Sequence, residues 1–159
     1  MSEEILSTLY EIVKLPADEK IEFGKNALRF LNMGLVEGGI LEEDLPSIAV
    51  MFAKLFVSAD RNCTQEECDF FNKVTGAEYT YERFFEETNG GSDPEFVEEA
   101  FELIDLLDDL DRKNLVFFAT CLLSSDNSFK VSEFKLLDRI MEKYGENKIH
   151  TKTSWYKRR

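Results

Sequence analysis

The first residues whose side chains could bind a ligand lie in a short polar loop after an apolar run. Asp60 ends the run that begins at Ile48, and Thr64 and Glu67 follow it. A Thr followed three residues later by a Glu is the pattern of a capping box, which satisfies two backbone N–H groups at a helix start. Carboxylate oxygens are also the ligands that calcium and magnesium prefer. Asp60 and Glu67 are therefore candidate cation ligands, with turn formation and helix capping as their alternative roles.

The same arrangement occurs a second time. Another apolar run leads to Asp126, a serine follows six residues later, and Lys135 stands where the capping Glu would be expected. A standard EF-hand is excluded, because the sixth and twelfth positions counted from either Asp lack the required Gly and Glu. If the two loops meet in the fold, Asp60, Glu67 and Asp126 would together hold a calcium or magnesium ion.

We predict that helices flank both loops and hold them in place. Apolar residues recur at helical spacing, start and stop residues divide the chain into about eight segments, and we find no convincing strand pattern. We predict an all-α fold in which two pseudo-symmetric helical hairpins share one core. Residues 1–145 would form a single domain, and residues 146–159 a separate C-terminal tail.

Breakers and caps predict several boundaries. Gly76 would end the helix that Thr64 begins, and Thr80 would begin a short helix. The three glycines between Met33 and Ile40 predict a loop or hinge.

Charge limits the class of partner. The formal net charge of −13 argues against nucleic acid, since phosphate binding needs Lys and Arg. It favours a cation or a basic partner. A helix from Pro94 to about Leu110 would carry four acids on one side, either as a docking stripe or as a solvated face: Glu98, Glu102, Asp105 and Asp109.

The tail has the opposite character. Five Lys or Arg residues, against one Glu, stand beside Trp155 and Tyr156 in residues 146–159. Such a segment can fold back on an acidic surface, remain disordered, or touch an anionic membrane surface peripherally.

The cysteines and the N-terminus bear on location. Cys63, Cys68 and Cys121 are odd in number and form no C-x-x-C motif, which predicts reduced thiols in the core rather than a disulfide framework or a zinc site. A redox role for Cys68, near a helix start, is the alternative. No signal peptide or membrane-spanning run is apparent. We therefore expect a cytoplasmic protein.

Taken together, the two loops and the acidic helix between them resemble the TerB-like (tellurite-resistance TerB) family. The resemblance rests on residues 48–76 and 115–145, and the first copy matches at Asp60, Thr64 and Glu67. It implies two helical hairpins related by pseudo-two-fold symmetry, a link to tellurite and general stress resistance, and an acidic metal-binding patch.

The leading hypothesis is a non-enzymatic TerB-like module that acts through an unknown protein partner and binds a divalent cation at the inter-hairpin loops. The alternative is an acidic interaction domain or inhibitor that docks a basic partner, as a nucleic-acid mimic does. A metal-dependent hydrolase ranks last, because the sequence holds no catalytic motif.

Overall fold

The computed structural model describes residues 1–60, 62–127, 129 and 131–142, without the side chains of Asp60, Val131 and Ser132. These residues form eight α-helices and one 3-10 helix (Glu42–Asp44), and no strand occurs among them. The predicted all-α class with about eight helices is confirmed. The predicted tail, residues 146–159, lies outside the described part of the chain. The α-helices, in chain order, are α1 (Glu3–Val13), α2 (Ala17–Glu37), α3 (Leu45–Asp60), α4 (Gln65–Thr75), α5 (Tyr81–Thr88), α6 (Pro94–Ile104), α7 (Asp109–Leu123) and α8 (Val131–Glu142).

Capping side chains set several of these boundaries as predicted. The Thr64 hydroxyl accepts from the Glu67 N–H at 3.1 Å, and the Thr80 hydroxyl accepts from the Arg83 N–H at 3.2 Å. Gly76 ends α4 with φ of +79°, a left-handed conformation that a residue without Cβ adopts at little cost. Local hydrogen bonds of this kind need no distant partner, so the sequence predicts them well.

The predicted loop at Met33–Ile40 is wrong in its first half, because α2 continues to Glu37. Gly34 lies on the buried face of α2, where a Cβ would come within 2.6 Å of Cγ of Asp111 in α7. The glycine therefore serves close helix packing rather than a break. Burial of Leu31 and Leu35 on the same helix stabilises its last turns.

The predicted helix from Pro94 to Leu110 is also wrong in its extent, since α6 ends at Ile104 and α7 begins at Asp109. Two features break the helix. The Asp108 carboxylate accepts from the Asp111 N–H at 2.8 Å and so begins a new helix. The fully buried guanidinium of Arg112 donates to the carbonyls of Asp105 and Leu107, at 2.9 and 3.1 Å, which a continuous helix would use itself.

The two helix pairs α3–α4 and α7–α8 share one core. Helix α3 contacts both α7 and α8, α4 contacts α7, and α2 packs along α7. Aromatic rings fill the centre, as the phenylalanine-rich composition suggests, and five fully buried members come from α3, α4, α5 and α7: Phe52, Phe56, Phe71, Phe84 and Phe118. In this packing, α2, α3 and α4 each keep one side at the protein surface, where they face a common groove.

Candidate functional site

Glu67, a predicted cation ligand, is a fully buried capping residue. Its Oε1 accepts from the Thr64 backbone N–H at 2.9 Å and from the Thr64 hydroxyl at 3.2 Å. These contacts complete the capping box that begins α4. The described contacts of Glu67 are therefore those of its alternative predicted role, helix capping.

Asp126, the predicted ligand in the second loop, lies near a cation of the protein itself. Lys20 of α2 is only 3% exposed, and its ammonium donates to the carbonyl oxygen of Ser124 at the end of α7, at 2.8 Å. Burial lowers the pKa of Lys20, while the charges of Cys121 and Asp126 act to raise it. The ammonium therefore supplies positive charge at this loop, where the sequence predicts a divalent ion.

Asp60, the third predicted ligand, is the last residue of α3, and its side chain lies outside the described part of the structure. Among the residues that are described, no group of three or more His, Cys, Asp or Glu side chains is arranged to hold a metal ion. The three-residue site thus stays a prediction.

The predicted acidic stripe is divided between two helices. Glu98 and Glu102 are exposed on α6, Asp105 is half-buried after its end, and Asp109 is exposed in the first turn of α7. The break at Asp108 turns the chain between them. The four acids therefore do not form one continuous helix face.

The three cysteines have the character of core residues. Burial raises the pKa of the Cys121 thiol to about 12, although the charge of Lys20 lowers it in part. Burial likewise raises the pKa of Cys63 to about 11 and raises the pKa of Cys68. A raised pKa keeps the unreactive thiol form at neutral pH, which opposes the suggested redox role of Cys68.

A groove of about 890 Å³ runs between α2, α3 and the C-terminal half of α4. Leu28, Ala49 and Phe71 form its buried floor, with further apolar residues half-buried along its sides. Next to this floor, Met33 is 53% exposed and Val36 is 39% exposed on the α2 wall. Contiguous apolar patches on a protein surface mark interaction sites, and this groove brings buried and exposed apolar residues together.

Hydrogen bonds fix the far wall of this groove. The Asn72 side chain donates to the Tyr79 carbonyl at 2.9 Å and accepts from the Tyr79 N–H at 3.0 Å. The Tyr79 ring packs at 6.0 Å from Phe71 and 6.3 Å from Phe84, measured between centroids. The segment after Gly76 is therefore a preformed wall, which lowers the entropy cost of binding.

Sequence reasoning missed this groove because it predicted a loop where α2 forms one wall. The residues at 28, 32, 33 and 36 fall on one side of a helix only if α2 continues past Gly34. The usable signal was the apolar spacing of Leu28, Leu31 and Leu35, which extends across the glycine.

Comparisons with family models, curated proteins and solved structures give no match to this chain. None of the described helices is long and apolar enough to cross a membrane.

Proposed function

We propose that this chain is a non-enzymatic, TerB-like helical module that binds an amphipathic helix of a partner protein in the groove between α2, α3 and α4. The observation that carries the proposal is the apolar groove floor with Met33 and Val36 exposed beside it. The link to tellurite-type stress follows only from the resemblance of the two loops, and it stays a prediction.

The shape and composition of the groove favour a helix as the occupant. Two helices form its long walls, and an amphipathic helix that buries its apolar face in such a groove is a recurrent mode of recognition. Met33 adds a flexible, polarisable side chain that adapts to different contact surfaces.

The cation hypothesis remains open beside this proposal. The position of Lys20 near Asp126 and the capping role of Glu67 weigh against it. Calorimetric titration of chelator-treated protein with calcium and magnesium tests it. Saturable binding that is lost in both Asp60→Asn and Asp126→Asn would establish one shared site. If the unaltered protein gives no heat of binding, the cation hypothesis is removed.

Docking of a basic partner on the acidic surface is the alternative interaction function. The division of the acidic residues between α6 and α7 removes the single stripe on which it was based. If the affinity of a basic partner is unchanged both by added salt and by neutralisation of Glu98 and Glu102, that result would count against this alternative.

The groove proposal is tested with a neutral model helix that has Leu on one face and Gln on the other. We expect this peptide to shift the backbone amide NMR signals of groove residues in the isotope-labelled full chain. Truncating the two exposed wall residues together, in Met33→Ser with Val36→Ser, should weaken binding about tenfold or more, because apolar contact area is lost. The matched control is Tyr10→Ser with Phe85→Ser, which alters two similarly exposed residues outside the groove lining.

Equal binding by the groove variant and the control variant would contradict the proposal. So would amide shifts that lie away from the groove, or an absence of shifts at millimolar peptide.

A further inference from the structure

The charged residues of the groove are ordered along its length. Lys25 and Arg29 line it at the middle of α2, one helical turn apart. Glu37, at the end of α2, and Glu42, in the 3-10 helix that follows, line its other end. At about 1.5 Å of rise per residue, the distance along α2 from Lys25 to Glu37 is about 18 Å. The groove is therefore positive at one end and negative at the other.

The positive end contrasts with the protein as a whole, which has a formal net charge of −13. Lys25 forms an ion pair with Glu22 at 3.8 Å, but its side chain remains 47% exposed. The Arg29 guanidinium lies 5.3 Å from the centroid of the Phe30 ring, and Arg29 is also exposed. Both cationic groups can thus be reached by a molecule that lies in the groove.

We propose that the partner helix has a fixed charge order and a fixed direction in the groove. Acidic residues lie at the end that faces Lys25 and Arg29, and basic residues lie at the end that faces Glu37 and Glu42. About twelve helical residues match the distance between the two charged ends. This inference rests on the proposed function, since it names the chemistry of the helix that the same groove binds.

Complementary charges at the two ends of the groove affect the direction of the bound helix more than its affinity. Each exposed ion pair changes the affinity by about twofold to fivefold, whereas a reversed helix would place like charges together at both ends of the groove. The apolar floor then supplies most of the affinity, and the charged ends select the direction.

The test uses a model helix with Leu on one face, Glu in its first turn, Lys in its last turn and a nitroxide spin label at its acidic end. With the isotope-labelled full chain, we expect the label to broaden the amide signals of Lys25 and Arg29 far more than that of Glu37. The charge-reversed protein carries Lys25→Glu, Arg29→Glu, Glu37→Lys and Glu42→Lys, all at exposed positions. There the broadening should move to residue 37.

The neutral Leu/Gln helix separates the two proposals. If it binds and the broadening of the charged helix does not follow the charge reversal, the charge order is overturned and the groove function stands. If neither helix binds, both proposals fail. A synthetic peptide of residues 146–159 that displaces the helix and shifts the same amides would make the chain's own tail the occupant, and would also overturn the inference.

Discussion

The Lys20 ammonium, near the start of α2, donates to the carbonyl oxygen of Ser124, just after the end of α7, at 2.8 Å. The two residues are separated by 104 positions in the chain. No basic residue lies in the last turn of α7, so this distant lysine provides the positive charge that favours a helix C-terminus. The contact joins α2 to the loop that carries Asp126.

Replacing Lys20 with Met should therefore destabilise the fold. The substitution keeps an apolar stem of similar length and removes the charged donor, which leaves a buried carbonyl without this partner. The Asn127 N–H still donates to the same carbonyl, at 3.0 Å, so we expect a loss of about 1 kcal/mol in the free energy of unfolding, measured by urea denaturation. The control is Lys14→Met at an exposed position, which should change stability by less than about 0.5 kcal/mol. Equal effects of the two substitutions would contradict the role assigned to Lys20.

Cys121 should make stability fall in alkaline solution. Burial raises the pKa of its thiol from 9.0 to about 12, so the unfolded chain loses the proton at a lower pH than the folded chain. The resulting stabilisation is complete below about pH 9 and is lost as the pH rises toward 12, with a slope of at most about 1.4 kcal/mol per pH unit.

The Cys121→Ala variant should therefore show a shallower loss of stability than the unaltered protein between about pH 9 and 11. Lys20 has the opposite effect. Its pKa is lower in the folded chain than in the unfolded chain, so its contribution to the free energy of unfolding increases as the pH rises toward 10.5. Urea denaturation at several pH values measures both profiles. Parallel profiles in the two proteins would show that Cys121 is not the group responsible.

Gly34→Ala should destabilise the protein, although Ala is the better helix former by about 1 kcal/mol. A Cβ at this position would lie 2.6 Å from Cγ of Asp111, so either the Asp111 side chain or the two helices would have to shift. We expect a net loss of about 1–3 kcal/mol, typical of overpacking, by urea denaturation. Asn26→Ala, at an exposed position of the same helix, serves as the control and should be neutral or slightly stabilising. A stabilised Gly34→Ala protein would show that the contact is loose.

Cys63 should react slowly with alkylating reagents although it is only half-buried. Burial raises the pKa of its thiol to about 11, the Thr88 hydroxyl lowers it in part, and the charge of Glu67 adds to the increase. At pH 8 the thiolate fraction falls about a hundredfold relative to an ordinary cysteine. Mass spectrometry of iodoacetamide labelling should therefore show a roughly hundredfold slower reaction in the native protein than in urea. Similar rates in both states would contradict the raised pKa.

Local chemistry explains which boundaries could be predicted. Thr64 with Glu67, Thr80 and Gly76 act through hydrogen bonds or backbone angles within a few residues of themselves, so their patterns are sufficient. The two errors have the opposite cause. The pattern around Gly34 predicts a break because Asp111, the residue that Gly34 packs against, is distant in the chain. The helix break after Ile104 depends in part on a buried arginine that also donates to the Ile140 carbonyl at 3.0 Å.

The all-α class, the capped helix starts and the two apolar runs around which the core forms follow from the order of residues alone, because periodicity and capping are local properties. The contacts of the predicted site residues depend instead on the tertiary structure. It placed the Lys20 ammonium on the Ser124 carbonyl, in the loop that carries Asp126, buried the capping residue Glu67 and brought α2, α3 and α4 together into a groove. These relationships depend on contacts between segments far apart in the chain, which residue spacing does not encode.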